Sequence, residues 1–162
     1  MPSVMDFIWP GPFVVQSIHV VARLNIADLL ELEPRTADEL AEAVGVHAPS
    51  LKRVLRALTT IGIFSEDADG RFRHTDLSRT LCTDHPGSVR PWALMLGAHF
   101  VWGPAGDLFE SVRTGTGGFR RLYGQPFFEW AKTHPEDGAA FHAAMTRDPQ
   151  KKCQWLAPAE LA

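Results

Sequence analysis

The stretch Thr36–Thr75, TADELAEAVGVHAPSLKRVLRALTTIGIFSEDADGRFRHT, reads as a helix-turn-helix followed by a two-stranded wing. Thr36 is a natural N-cap and Glu39 follows three residues later, the two halves of a capping box. Leu40 and Val44 continue at helical spacing, and Gly45 offers the left-handed stop that ends such a helix. Pro49 suits the first turn of a second helix, where a missing N–H costs nothing. Leu51, Val54, Leu55, Leu58 and Ile61 then recur at intervals of three and four, which buries one face. Gly62 closes this helix. Ile63–Ser65 and Arg71–His74 are short extended runs on either side of Asp69-Gly70, a hairpin signal. A unit of this kind either reads DNA or has been put to another use, and the flanking sequence decides between the two.

The chain has 162 residues, enough for one compact domain that buries roughly 70% of its unfolded surface. With 45% apolar and 22% charged residues it has the composition of an ordinary globular protein. A net charge of −3 and a pI near 6.1 argue against general affinity for nucleic acid or anionic membrane. The leading segment MPSVMDFIWPGPFVVQSIHVV has no Lys or Arg before Arg23 and contains Asp6, Pro10 and Pro12, so it makes a poor signal peptide. No apolar run approaches the ~18 residues of a membrane span. Cys82 and Cys153 lie far apart and form no CxxC, which reads as free thiols in a reducing cytoplasm.

Around the winged unit the pattern is helical. Gly11–Leu30 carries Phe13, Val14, Ile18, Val21 and Ala22 and then Leu24, Ile26, Leu29 and Leu30, apolar around much of its circumference. Such a helix must be covered on several sides, and a second subunit is the simplest cover. Asp76–Cys82 reads as a short helix, Asp84–Gly87 as a break, and Ser88 as the cap of a helix running to Trp102 with Trp92, Met95, Leu96 and His99 on one side. Gly103-Pro104 reads as a second break. Asp107–Arg113 is amphipathic, Gly115–Gly118 is a flexible turn, and Pro126–Thr133 and Pro135–Met145 are two further helices opened by proline. Residues 1–146 form the domain; 147–162 show no clear period and read as an irregular tail.

Several of these segments together are similar to one family. GPFVVQSIHVVARLNIADLLELEPRTADELAEAVGVHAPSLKRVLRALTTIGIFSEDADGRFRHTDLSRTL, followed by HPGSVRPWALMLG, DLFESVRTG and FRRLYGQPFFEWAKTHPEDGAAFHAAMT, resembles the N-terminal dimerisation domain of S-adenosylmethionine-dependent small-molecule O-methyltransferases. The resemblance implies a mainly α fold, a winged helix-turn-helix dimerisation domain with a small β-hairpin wing, that interlocks two subunits and roofs an acceptor pocket. It also implies a homodimer with Phe13, Val14, Ile18 and Val21 at the interface, and an aromatic or polyketide-like hydroxylated substrate. Family members continue after this segment into a Rossmann-like catalytic domain. Residues 147–162 leave no room for its βα units, each around 30 residues or more. The expectation is therefore a chain with no cofactor site of its own. S-adenosylmethionine would enter only if a catalytic domain is supplied elsewhere, in trans for example.

Chemistry-bearing motifs are few. Gly115-Thr116-Gly117-Gly118 follows an amphipathic helix, not a buried strand, so it reads as an interhelical loop and not a cofactor loop. Asp67-Ala68-Asp69-Gly70 has four residues of a calcium loop but lacks the remaining ligands, and reads as the wing turn. None of the seven histidines has HxxxH or HExxH spacing, so no metal is expected. Cys82 reads as a small buried residue. Lys52, Arg53, Arg56, Arg71 and Arg73 could face DNA, but Asp38, Glu39, Glu42, Glu66, Asp67, Asp69 and Asp76 outnumber them, and an acidic wing tip suits phosphate poorly. The pocket candidates are Met95, His99, Trp102, Phe128, Phe141, His142 and Met145, mostly apolar walls with two histidines as polar groups. An ordinary aromatic core with a dimer interface would give the same pattern. A cofactor-free small-molecule-binding protein or enzyme of secondary metabolism using this aromatic pocket, with His99 or His142 as acid or base, and a winged-helix DNA-binding regulator are the other functional readings.

Overall fold

The structure, a computed structural model, describes residues 4–8 and 11–146. The expected irregular tail, with Cys153, lies outside the described residues. The chain divides after Gly97 into two compact units.

The first unit contains α1 (Val4–Ile8), α2 (Gly11–Arg23), α3 (Ile26–Leu29), β1 (Arg35–Thr36), α4 (Ala37–Val44), α5 (Ala48–Thr60), β2 (Phe64–Glu66), β3 (Arg71–His74), α6 (Asp76–Arg79) and α7 (Arg90–Gly97). The capping box forms as expected: Thr36 Oγ1 accepts the Glu39 amide at 3.2 Å and Glu39 Oε2 accepts the Thr36 amide at 2.7 Å. A cap of this kind is worth ~1 kcal/mol. Gly45 and Gly62 both take left-handed backbone, φ +70° and +78°. In each case the next amide turns back to close the helix, Val46 N–H onto Ala41 and Ile63 N–H onto Leu58, both at 3.0 Å.

Leu51, Leu55 and Leu58 are the buried stripe of α5. They join Leu40 of α4, Ile26 of α3, Phe64 of β2 and Phe72 of β3 in one core cluster. The wing is antiparallel, with Phe64 opposite His74 and Glu66 opposite Phe72. Its turn is organised by Asp67, whose Oδ1 accepts the amides of Asp69 and Arg71 at 3.1 and 2.9 Å. The Asp67–Gly70 segment is thus the wing turn. A third strand was not anticipated: β1 pairs with the far edge of β3, giving the order β1-β3-β2.

Several helix boundaries differ from the expected ones. The helix expected over Gly11–Leu30 breaks at Asn25, which is left-handed at φ 52°. Asparagine tolerates that conformation better than most residues. Arg90 secures it, donating from Nε to the Ala22 carbonyl at 3.2 Å and from Nη2 to Asn25 Oδ1. The helix expected from Ser88 to Trp102 is two helices, because Ala98 is extended (φ −70°, ψ 150°) between α7 and the next element. Ser88 does act at its start, accepting the Arg90 amide at 3.3 Å. Gly103-Pro104 does not break the chain. Both lie inside a helix whose end is closed by the Asp107 amide, at 3.2 Å from the Gly103 and Pro104 carbonyls.

The second unit contains α8 (His99–Gly106), α9 (Leu108–Thr114), α10 (Gly118–Tyr123), α11 (Phe127–Ala131) and α12 (Pro135–Thr146). Among these, α10 begins inside the expected flexible glycine turn.

Candidate functional site

The second unit is organised by rings. Trp130 of α11, 8% exposed, has Tyr123 at 5.1 Å, Phe119 at 5.5 Å edge-on, and His134 stacked at 3.7 Å. Phe100 of α8 is buried and stacks on Phe127 at 5.4 Å. Phe127 in turn has Phe141 of α12 at 4.8 Å, and Phe128 has Phe141 at 5.9 Å. Each favourable ring pair adds about 0.5–1.5 kcal/mol beyond the area it buries. The periodic aromatic positions of α8, α11 and α12 therefore meet in one cluster.

At the margin of this cluster one polar pair stands out. His99 Nδ1 lies 3.2 Å from the Tyr123 hydroxyl. Burial, with the charge of Asp137 added, pushes the Tyr123 phenol above its ordinary value.

The sequence candidates fall in different places. His99, Phe128 and Phe141 belong to the ring cluster or its margin. Trp102 and Met145 are half-buried on α8 and α12. His142 is exposed, and its ring lies 5.9 Å from that of Phe141 in a T-shaped arrangement. Met95 is buried in α7 of the first unit, so the single helix face expected to carry Met95 with His99 and Trp102 does not exist. Of the interface candidates, Phe13 is 61% exposed and Val14 and Ile18 are half-buried, whereas Val21 is 1% exposed. Val21 is a core residue of its own subunit and has no surface to give a partner. Phe119 and Tyr123 were missed. The F-x-x-x-Y spacing of 119–123 is a helical i,i+4 aromatic pair and was the available signal.

The winged unit commits its cations internally. Arg56 of α5 is bidentate to Glu66 of the wing, with Nε at 2.8 Å and Nη2 at 2.9 Å. Arg73 holds Asp67 at 2.8 Å and Arg71 holds Glu39 at 3.0 Å. The hydrogen bond from Arg56 lowers Glu66 below the usual carboxylate range. The Arg71 backbone amide does the same for Asp67, and the Thr36 amide for Glu39. Three of the five cations on the would-be DNA face are thus bound to carboxylates that phosphate would have to displace.

Behind the wing, His74 is brought to Ser78 and Cys82. The Ser78 hydroxyl lies 2.9 Å from His74 Nδ1 and 3.1 Å from the Thr75 carbonyl. Cys82 Sγ lies 3.9 Å from Nε2. Cys82 is 3% exposed, and burial pushes its thiol up to about 11, so it is an unreactive core residue. Burial also holds His74 below its ordinary value. The folded state therefore binds this proton less readily than the unfolded chain. Its contribution to stability is complete above about pH 6.5 and is lost as the pH falls through the folded value. The melting temperature is expected to fall between about pH 7 and 5, before the carboxylates titrate, and His74→Gln should flatten that slope. An equal slope in the variant would assign the effect to another group.

A cleft of about 280 Å³ in the first unit is lined by Leu30, Glu31, Arg73, His74 and Arg79 among others, and contains none of the sequence candidates. Among the described residues there is no group of three or more His, Cys, Asp or Glu that could hold a metal ion, and no helix long and apolar enough to cross a membrane.

Comparison with known proteins bears on the whole chain. Residues 11–84 match the model of the O-methyltransferase dimerisation domain. Phenazine O-methyltransferase PhzM of Lysobacter antibioticus is 39% identical over 136 residues, which is 83% of this chain and 39% of that protein. The mitomycin biosynthesis 6-O-methyltransferase of Streptomyces lavendulae is 35% identical over 83% of this chain and 39% of its own length. The 2,7-dihydroxy-5-methyl-1-naphthoate 7-O-methyltransferase of Streptomyces carzinostaticus is 35% identical over 80% and 40%. The crystal structure of LaPhzM superposes with a TM-score of 0.83 at 37% identity, over 90% of this chain and 44% of that one. The mitomycin 7-O-methyltransferase MmcR gives 0.80 at 35% identity, over 88% and 42%. The chain thus spans about two fifths of the length of the relatives it matches.

Proposed function

We propose that this chain, whose residues 11–84 belong to the O-methyltransferase dimerisation-domain family, pairs two subunits and supplies one wall of the acceptor pocket of a small-molecule methyltransferase. The family match over α2 to α6 is the observation that carries the reading. The S-adenosylmethionine site would belong to a catalytic domain supplied in cis or in trans, since the matched segment is only 39% of the first relative's length. Phenazine, mitomycin and naphthoate in the names of the relatives point to a flat, oxygenated aromatic acceptor. Leu108, Phe109 and Val112 on α9, with Phe109 75% exposed, form an outward apolar surface of the kind a partner domain covers.

Sedimentation of the purified chain at micromolar concentration is expected to give a dimer. Phe13→Glu with Val14→Glu places two charges in the proposed apolar interface and should weaken it by at least about 30-fold, the scale of a hot-spot loss. A monomer in the parent chain, or a dimer indifferent to both charges, would refute this interface. Calorimetry with S-adenosylmethionine is expected to show no heat for this chain alone, and saturable binding would move the cofactor site into it.

A further inference from the structure

We infer that Tyr123 and His99 form a reading pair: the Tyr123 hydroxyl holds the His99 imidazole in its Nε2–H form, and that N–H donates to an acceptor atom on a flat aromatic ligand. The inference rests on the small-molecule part of the function proposed above and names the residues that would discriminate among such ligands.

The geometry of the pair sets its polarity. The Tyr123 hydroxyl has a single proton and two acceptors in reach, His99 Nδ1 at 3.2 Å and the His99 carbonyl at 3.5 Å. We place the proton on the shorter contact, Nδ1, because hydrogen bonds weaken quickly beyond about 3.2 Å. An imidazole that accepts at Nδ1 carries its own proton at Nε2. His99 is exposed, so this N–H is available to solvent or a ligand. A phenol, with an ordinary pKa of about 10, stays protonated across the physiological range, the only form able to donate, and burial raises it further.

The surroundings fit the same role. Phe119 lies 4.5 Å from the Tyr123 ring and Trp130 lies 5.1 Å from it, so the hydroxyl emerges from an aromatic wall. At Gly103 a Cβ would sit 3.2 Å from the Tyr123 hydroxyl and 3.8 Å from His99 Cε1. Glycine there leaves the pair its space. Ligand sites combine apolar walls with a few placed polar groups, and this pair is such a group. A carbonyl or ring nitrogen on a stacked aromatic would satisfy His99 Nε2–H, whereas a ligand without an acceptor would leave that donor unpaired.

The test uses two neutral probes of similar shape, 1-acetonaphthone, which has a carbonyl acceptor, and 1-ethylnaphthalene, which has none. Binding to the intact chain is followed by saturation-transfer NMR and Trp fluorescence. 1-Acetonaphthone is expected to bind more tightly by about three- to ten-fold, the range of one hydrogen bond. His99→Phe should abolish that preference while leaving 1-ethylnaphthalene within two-fold. Independently of any ligand or variant, nitrogen-15 spectra of labelled histidine should show His99 protonated at Nε2, and Tyr123→Phe should remove the bias toward that tautomer. If both probes bind equally and His99→Phe changes nothing, the reading pair is wrong and the aromatic-ligand part of the proposed function stands. A His99 found as the Nδ1–H tautomer in the parent chain overturns the pair by itself. If neither probe binds, the pair and the aromatic-ligand part of the proposed function fall together, while the dimer is judged by sedimentation.

Discussion

Phe72→Ala is expected to lower the stability of the first unit by about 3–5 kcal/mol, the scale of a fully buried phenylalanine lost from a core. Phe72 is 0% exposed and sits on β3, the central strand of the three. Its backbone is paired on one side with Arg35 and on the other with Glu66. Its ring belongs to the same buried cluster as Leu40, Leu55 and Leu58 of the two helices. The central strand cannot shift to fill the void without breaking both ladders, so relaxation is limited and the cavity term persists. Domains of this size have roughly 5–15 kcal/mol in total, so the loss is a large fraction of it. Urea unfolding followed by circular dichroism should show a strongly lowered midpoint with an unchanged slope. Phe72→Leu keeps most of the volume and should cost under about half as much. A midpoint shift under about 1 kcal/mol for the alanine variant would show that the wing is not anchored through this ring.

The winged unit was legible because its signals are local. Thr36 and Glu39 cap over three residues, Gly45 and Gly62 mark left-handed stops, and Leu51, Leu55 and Leu58 repeat at helical spacing. What the sequence did not disclose depends on partners far along the chain. The break at Asn25 is secured by Arg90, 65 residues away. The strand β1 is only two residues long and exists through its pairing with β3. Asp28 accepts from both the amide and the hydroxyl of Thr83, at 2.7 and 2.9 Å, and ties α3 to the segment after α6 with no periodic trace.

The aromatic region was legible as composition more than as geometry. Phe128 of α11 and Phe141 of α12 are in ring contact, but His142 follows Phe141 by about 100° of helix rotation and is exposed. Val21 and Met95 carry the same apolar pattern as their neighbours, and only packing shows that both are interior. Tyr123 escaped notice because α10 is six residues long and bounded by glycine.

Gly97→Ala is expected to be about as costly as the Phe72 change, and for the opposite reason. A Cβ at residue 97 would lie 2.2 Å from His19 Cβ, 2.3 Å from its Cγ and 2.5 Å from its Nδ1. The His19 Cβ is fixed to the backbone, so no rotamer of His19 clears it, and α2 and α7 must separate. Two hydrogen bonds bridge that contact: His19 Nδ1–H to the Ala93 carbonyl at 3.1 Å, and Gln16 Nε2 to the Gly97 carbonyl at 3.0 Å. Overpacking costs about 1–3 kcal/mol and each hydrogen bond about 0.5–1.5 kcal/mol, so about 2–6 kcal/mol is expected if both bonds are lost. A second substitution separates this steric cause from a simple loss of polar contacts. His19→Ala removes the imidazole but keeps the Cβ that the new methyl strikes, so it should not rescue Gly97→Ala. His19→Gly removes that atom and should recover part of the loss, less about 1 kcal/mol for glycine inside a helix. A double-mutant cycle over the two sites then gives a large coupling for glycine and a small one for alanine. Because α2 also carries Phe13 and Val14, the same variant should weaken the dimer in sedimentation. A Gly97→Ala chain that melts like the parent would mean that α2 and α7 are not in contact through this glycine.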